Sequence, residues 1–173
     1  MTGTRKCATL SMTPFPQTET TLVADAILVQ PGSKPWQPGD GSSTKLVEVL
    51  HEYDVPLVGV VSQCGVDYVF SCLAGEAEPF SLWCYALLSD DDRERLDAAS
   101  TQDELNELVD ELMEPPCVLA AAGEGYGIIA SRAVQARGAV EQSIQELVGA
   151  VGEWTSRVRR GAEEYASSHL CSA

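Results

Sequence analysis

The stretch PLVGVVSQ-CG-VDYVFSCL, residues 56–73, decides the fold. Two runs rich in valine, leucine, tyrosine and phenylalanine flank a two-residue connection ending in glycine, the strongest short-range sign of a β-hairpin. With Cys64 and Gly65 as the loop, Val61 faces Tyr68, Gly59 faces Phe70 and Leu57 faces Cys72. An aromatic ring laid over a strand glycine covers backbone that would otherwise be bare, and so pins the register. Val58, Val60, Val69 and Leu73 share the other face with Ser62, Asp67 and Ser71, which makes that face only partly polar. Both faces of the sheet are therefore expected to be covered, one of them by helix.

Working outward, a third β-rich run, SLWCYALL at residues 81–88, follows an acidic loop. KLVEVLHEYD at residues 45–54 fits a strand, or a helix with Leu46, Val49, Leu50 and Tyr53 as its stripe. The turn residues Asp54, Val55 and Pro56 lead straight into the hairpin, which favours the strand and a meander. Residues 117–122 and 126–133 form a second hairpin around Gly123, Glu124 and Gly125. Its glycines do not make a phosphate loop: Ile128 and Ile129 continue as strand rather than helix, and Glu124 would repel phosphate.

Helix signals are concentrated elsewhere. Ser89 to Asp92 places carboxylates in a first turn, where the helix dipole favours them. Thr101 and Glu104 form a capping box ahead of an apolar stripe of Leu105, Leu108, Val109, Leu112 and Met113, and Pro115–Pro116 stops that helix. After Gly138, residues 139–168 predict one long helix, with Val140, Ile144, Leu147, Val148, Val151, Trp154, Val158, Ala162 and Tyr165 near one stripe. About 30 residues span about 45 Å, longer than a sheet of short strands is wide. Part of that stripe is expected to meet another molecule or to fold back over the sheet.

The expected class is α+β: an antiparallel sheet of about five strands, an acidic helical segment and a long C-terminal amphipathic helix. Residues 44–135 form the domain, and residues 139–168 its helical extension. Residues 1–43 read as an arm and linker. Residues 21–30 (TLVADAILVQ) are tipped towards strand by threonine, valine and isoleucine, and residues 31–43 carry the prolines and glycines of a linker.

Residues 52–57 (EYDVPL), the hairpin after them, residues 81–89 (SLWCYALLS) and the acidic leucine-bearing helix together resemble a family of small uncharacterised bacterial proteins, a domain of unknown function. The family carries an E-Y-x-x-P-L run followed by an L-W run ending in proline, an aliphatic residue and serine. The likeness covers about residues 45–113; a leucine stands where the family has its proline, and the arm and long helix fall outside it. It implies the fold and transfers no catalytic residue.

Charge bounds the function. The chain of 173 residues has a formal net charge of −15, which opposes nucleic-acid backbones and anionic membranes because neutralising phosphate needs clustered lysine and arginine. Eleven acids against Arg93 and Arg95 put −9 of that charge between Asp90 and Glu114. Such a run reads as a solvated helix face or a dock for a basic protein. Arg157, Arg159 and Arg160 form the one basic cluster, suited to the end of a helix or to the acidic face of a second subunit. The six cysteines lie at least seven residues apart, without zinc spacing. With no signal-peptide core and no apolar run of about 20 residues, a cytoplasmic protein with reduced thiols is expected.

No catalytic constellation stands out. His51, beside Glu52, Tyr53 and Asp54, offers a general base with a neighbouring carboxylate, but on a strand His51 and Glu52 point to opposite faces. His51, Glu52, Asp54 and Tyr68 are the candidates for a hydrolytic or small-molecule site on the sheet. Cys64, at the hairpin turn, lacks a neighbouring cation to activate its thiol. No metal or cofactor is implied. The leading expectation is a non-enzymatic interaction or regulatory module, self-associating or holding a protein partner through Ile144, Val148, Val151, Trp154 and Val158, with Arg157 and Arg160 beside them. An acidic mimic or antitoxin-like protein that occludes a basic partner is the other alternative.

Overall fold

A computed structural model describes residues 27–74 and 80–170 of the chain. Its centre is a six-stranded antiparallel sheet in simple sequential order. The strands are β1 (Thr44–Tyr53), β2 (Val55–Gln63), β3 (Val66–Ala74), β4 (Phe80–Leu87), β5 (Cys117–Gly123) and β6 (Ile128–Val134). Helices α1 (Asp90–Ala98) and α2 (Gln102–Leu112) lie between β4 and β5, and α3 (Val140–Leu170) closes the chain. The α+β class therefore holds, with one strand more than expected.

The β2–β3 hairpin has the anticipated register: Val61 pairs with Tyr68 and Gly59 with Phe70. Cys64 and Gly65 have φ of 55° and 85°, so both loop residues are left-handed, as the twist-matching type I′ turn requires. At Gly59 a side chain has no room: a Cβ there would press on the Glu48 carbonyl oxygen and lie 2.8 Å from Cε1 of Phe70. The β5–β6 connection is a hairpin as expected, through a 3₁₀ turn at Glu124–Tyr126 with Gly125 at φ 76°. The segment 45–54 is strand, and it turns at Asp54 with φ 59°.

Alternation along β4 and β5 explains their unbroken apolar sequences. Cys84, Ala86, Leu119 and Ala121 face one core, which also holds Leu96, Leu108, Val109, Leu147 and Val151 from the three helices. Trp83, Tyr85, Val118 and Ala120 face a second core with Val61, Tyr68 and Phe70. Both caps form as read: the Ser89 hydroxyl accepts from Asp92 N–H at 3.1 Å, and the Thr101 hydroxyl accepts from Glu104 N–H at 3.2 Å. The Glu104 carboxylate reaches back to the Ser100 N–H at 2.8 Å, one residue before the cap.

The second core is closed by residues 27–38, where the sequence suggested a linker. Ile27, Pro35 and Pro38 are buried, and Trp36 packs edge-on against Trp83 with ring centroids 6.2 Å apart. The Gln63 side chain holds the Leu28 backbone at one end, and Gly32 N–H donates to Ile128 O at 2.7 Å at the other. Tyr85 O–H donates to Pro35 O at 2.8 Å in the middle. The prolines and glycines thus shape an irregular cover rather than a tether. Of the strand expected at residues 21–30, residues 27–30 are not strand and residues 21–26 lie outside the described residues.

Candidate functional site: the helix that outruns the sheet

Helix α3 lies over β5 and β6, at one edge of the sheet. Its first half is tied down: the Arg132 guanidinium of β6 pairs with Glu146, and Ser143 is buried with its hydroxyl donating to Ala139 O at 2.8 Å. Val140, Ile144, Leu147, Val151, Trp154 and Val158 follow alternating steps of four and three residues, a single stripe along one side of the helix. That stripe meets the sheet only as far as the sheet extends. Leu147 and Val151 are each 3% exposed, whereas Trp154 is 40% and Val158 51% exposed. Trp154 still lies near Gly123 at the end of β5, and Val158, the next described residue of the stripe, is half exposed. At 1.5 Å per residue the 31-residue helix is about 46 Å long, well beyond the length of the seven-residue strands β5 and β6 that it packs on.

Among the interaction residues read from sequence, Ile144 and Val151 belong to the core. Val151 is closed to a partner because its own sheet covers it. Val148, Trp154 and Val158 are exposed, and Arg157 and Arg160 are exposed beside them.

The other candidate group is not assembled. His51, Glu52 and Asp54 are exposed on the edge strand and its turn, whereas Tyr68 is buried on β3, two strands away, in the core opposite the helices. An open cleft of about 540 Å³ lies between β1, α1 and α2, lined by Glu48, Leu50, Asp97, Ser100, Thr101 and Leu105; none of those four residues lines it. Glu48 is paired with Arg93 across that junction, and Arg93 also reaches Asp97 at 3.2 Å.

The arginines within the acidic region serve intramolecular ends, since Arg95 bridges Asp92 at 3.2 Å and Glu111 at 2.8 Å and so clamps α1 to α2. A hydrogen bond from the Ser89 hydroxyl, then the Arg95 charge, holds the Asp92 carboxyl below its ordinary value. Asp90, Asp91, Glu94, Asp103, Glu107 and Asp110 are left to solvent. Cys84 and Cys117 sit on one face of neighbouring strands, two residues apart in register, both buried. The contact with Cys117, then burial, pushes the Cys84 thiol up, and the same contact lowers Cys117. Among the described residues no group of three or more histidine, cysteine, aspartate or glutamate side chains is placed to hold a metal, and no helix is long and apolar enough to cross a membrane.

Fold and surface together define an antiparallel-meander α+β domain carrying a long C-terminal amphipathic helix. Comparison with protein families, with curated proteins and with solved structures finds no match to this chain.

Proposed function

We propose that this protein is a non-enzymatic interaction module that self-associates through the exposed stretch of α3 around Trp154 and Val158. The observation that supports this reading is the jump in exposure along a single stripe, from 3% at Val151 to 40% at Trp154 and 51% at Val158. A lone helix stabilised only by propensity has no reason to carry valine and tryptophan in register beyond the surface that it covers. Gly149 and Gly152 each weaken the helix by up to about 1 kcal/mol relative to alanine, a loss that packing of the stripe offsets. Two copies laid stripe to stripe would cover Trp154 and Val158 in the manner of a short coiled coil. The acidic α1–α2 face, at the far side of the helical layer, keeps other approaches of two like molecules unfavourable. Kinship of residues 45–113 with the small bacterial family is part of the proposal and rests on the motifs quoted above.

Trp154 supplies its own probe. Trp83 is fully buried and Trp36 packs on it, so a change in environment on association belongs to Trp154. The emission maximum should move to the blue as the protein is concentrated, and Trp154→Phe should abolish the movement. Emission that is independent of concentration would contradict the reading.

A further inference from the structure

We propose that Cys84 and Cys117 form a reversible thiol switch: a peroxide closes a disulfide between them, and the bond withdraws the contact by which Cys84 holds the end of α2.

Cys84 lies within β4 and Cys117 opens β5. The ladder pairs Cys84 with Leu119 and Ala86 with Cys117, so the two thiols stand diagonally across neighbouring strands, on the face that the helices cover. They are in hydrogen-bond contact with each other. The Cys84 thiol also donates to Met113 O at 3.7 Å, the carbonyl of the residue that ends α2. Helix carbonyls at that end have no partner within the helix, so a donor from the sheet fastens it. The pair thus joins three elements, β4, β5 and α2, at one point of the core.

Cys117 is the more accessible sulfur, 7% exposed against 1% for Cys84. Donation from Cys84 favours its thiolate, the form that attacks. With hydrogen peroxide, the Cys117 sulfur takes one oxygen: an S–O bond forms, the O–O bond breaks, and the leaving oxygen departs as water with the thiol proton. The Cys84 sulfur then attacks the sulfenic sulfur. The S–S bond forms, the S–O bond breaks, and the hydroxyl leaves as a second water with the Cys84 proton. Two thiols have given up two electrons, and the peroxide has accepted them.

Register makes the bridge a switch rather than a staple. Diagonal neighbours on an antiparallel pair lie about 7–8 Å apart at Cα, beyond the roughly 4.4–6.8 Å of a relaxed disulfide. The strands must draw together to close the bond, which leaves it strained and readily reopened by a thiol. Once bridged, Cys84 has no hydrogen to give Met113 O, and the end of α2 is released.

Peptide mapping without reductant tests this on the full-length chain, treated with hydrogen peroxide while folded. A peptide pair joined through Cys84 and Cys117, lighter by two hydrogens than its reduced halves, should dominate over any bridge to Cys64 or Cys72 and vanish with dithiothreitol. Hydrogen exchange at residues 109–116 should quicken in the bridged protein and slow again on reduction. Cys84→Ala removes the same donor without a bridge, so its exchange there should be fast and indifferent to peroxide. Cys117→Ala, which keeps the donor, should stay slow with or without peroxide, and it carries the comparison even where Cys84→Ala fails to fold. Three results would overturn the proposal: no Cys84–Cys117 bridge in the folded protein, a bridge that forms only after urea has opened the core, or a bridge that leaves exchange at the end of α2 unchanged. Neither readout depends on association through α3, whose failure shows separately in the molar mass.

Discussion

Gly59→Ala should destabilise the domain more than any surface substitution of comparable size. Gly59 sits mid-strand in β2, between Val49 of β1 and Phe70 of β3. An added Cβ would press on the Glu48 carbonyl oxygen, which is backbone, and lie 2.8 and 2.9 Å from Cε1 and Cζ of the buried Phe70 ring. Neither neighbour can rotate away. Overpacking of this kind costs about 1–3 kcal/mol, and displacing the β1 backbone adds about 1 kcal/mol for a weakened ladder bond. The stiffer unfolded chain returns about 0.4–1 kcal/mol, leaving a net loss of about 2 kcal/mol. For a chain of this size that corresponds to a Tm lower by about 4–8 °C. Urea unfolding in dilute solution measures it without a contribution from association. Gly65→Ala is the control: nothing lies within 4 Å of its Cβ, and only the φ of 85° opposes it, so it should cost about 1 kcal/mol. A Gly59→Ala protein as stable as the parent would refute the aromatic-over-glycine account of the register.

Other outcomes follow from single contacts. Tyr85→Phe leaves the buried Pro35 carbonyl without its donor and should cost about 1–2 kcal/mol; urea unfolding reads it, together with faster proteolysis around residues 27–38. Thr101→Ala removes the side-chain cap of α2 and should cost about 1 kcal/mol in the same assay. The Asp40 carboxyl is held near about 2, below its ordinary 3.8, by the Ser43 and Ser42 hydroxyls and the Ser43 N–H. A depressed folded-state value means that its stabilisation is complete above about pH 4 and fades as pH falls towards 2. Unfolding midpoints in that window should therefore decline less steeply for Asp40→Asn; an identical acid limb would remove Asp40 from the account.

How much of this was legible in the sequence differs from element to element. The hairpin register was readable because a two-residue turn leaves no freedom once Cys64 and Gly65 are taken as its loop. Helix α2 announced both its ends, through Thr101 with Glu104 and through Pro115–Pro116. The cover formed by residues 27–38 was not readable. Its apolar residues, Ile27, Val29 and Trp36, have neither helical nor strand period, and what fixes them is a sheet face assembled from residues 20 or more positions later. Composition alone makes proline with glycine look like a tether. Trp36, set between Pro35 and Pro38, was the available hint that the stretch packs.

The candidate site was half visible. The stripe on α3 followed from spacing, but the point at which it leaves the core depends on where β5 and β6 end, which no local pattern encodes. So Val151 and Trp154, neighbours on one stripe, have opposite fates. His51, Glu52, Asp54 and Tyr68 were near in sequence terms only; strand alternation and the intervening β2 keep Tyr68 apart from the others.

The most direct measurement is the molar mass of the full-length chain by light scattering across a wide concentration range, beside that of Val158→Glu. One chain weighs 18.5 kDa. The parent should rise reversibly above that mass as it is concentrated, and Val158→Glu should require a markedly higher concentration while melting at the same temperature. A parent that stays at 18.5 kDa throughout, or a variant that associates as readily as the parent, would contradict the assignment of α3 as the surface through which copies meet.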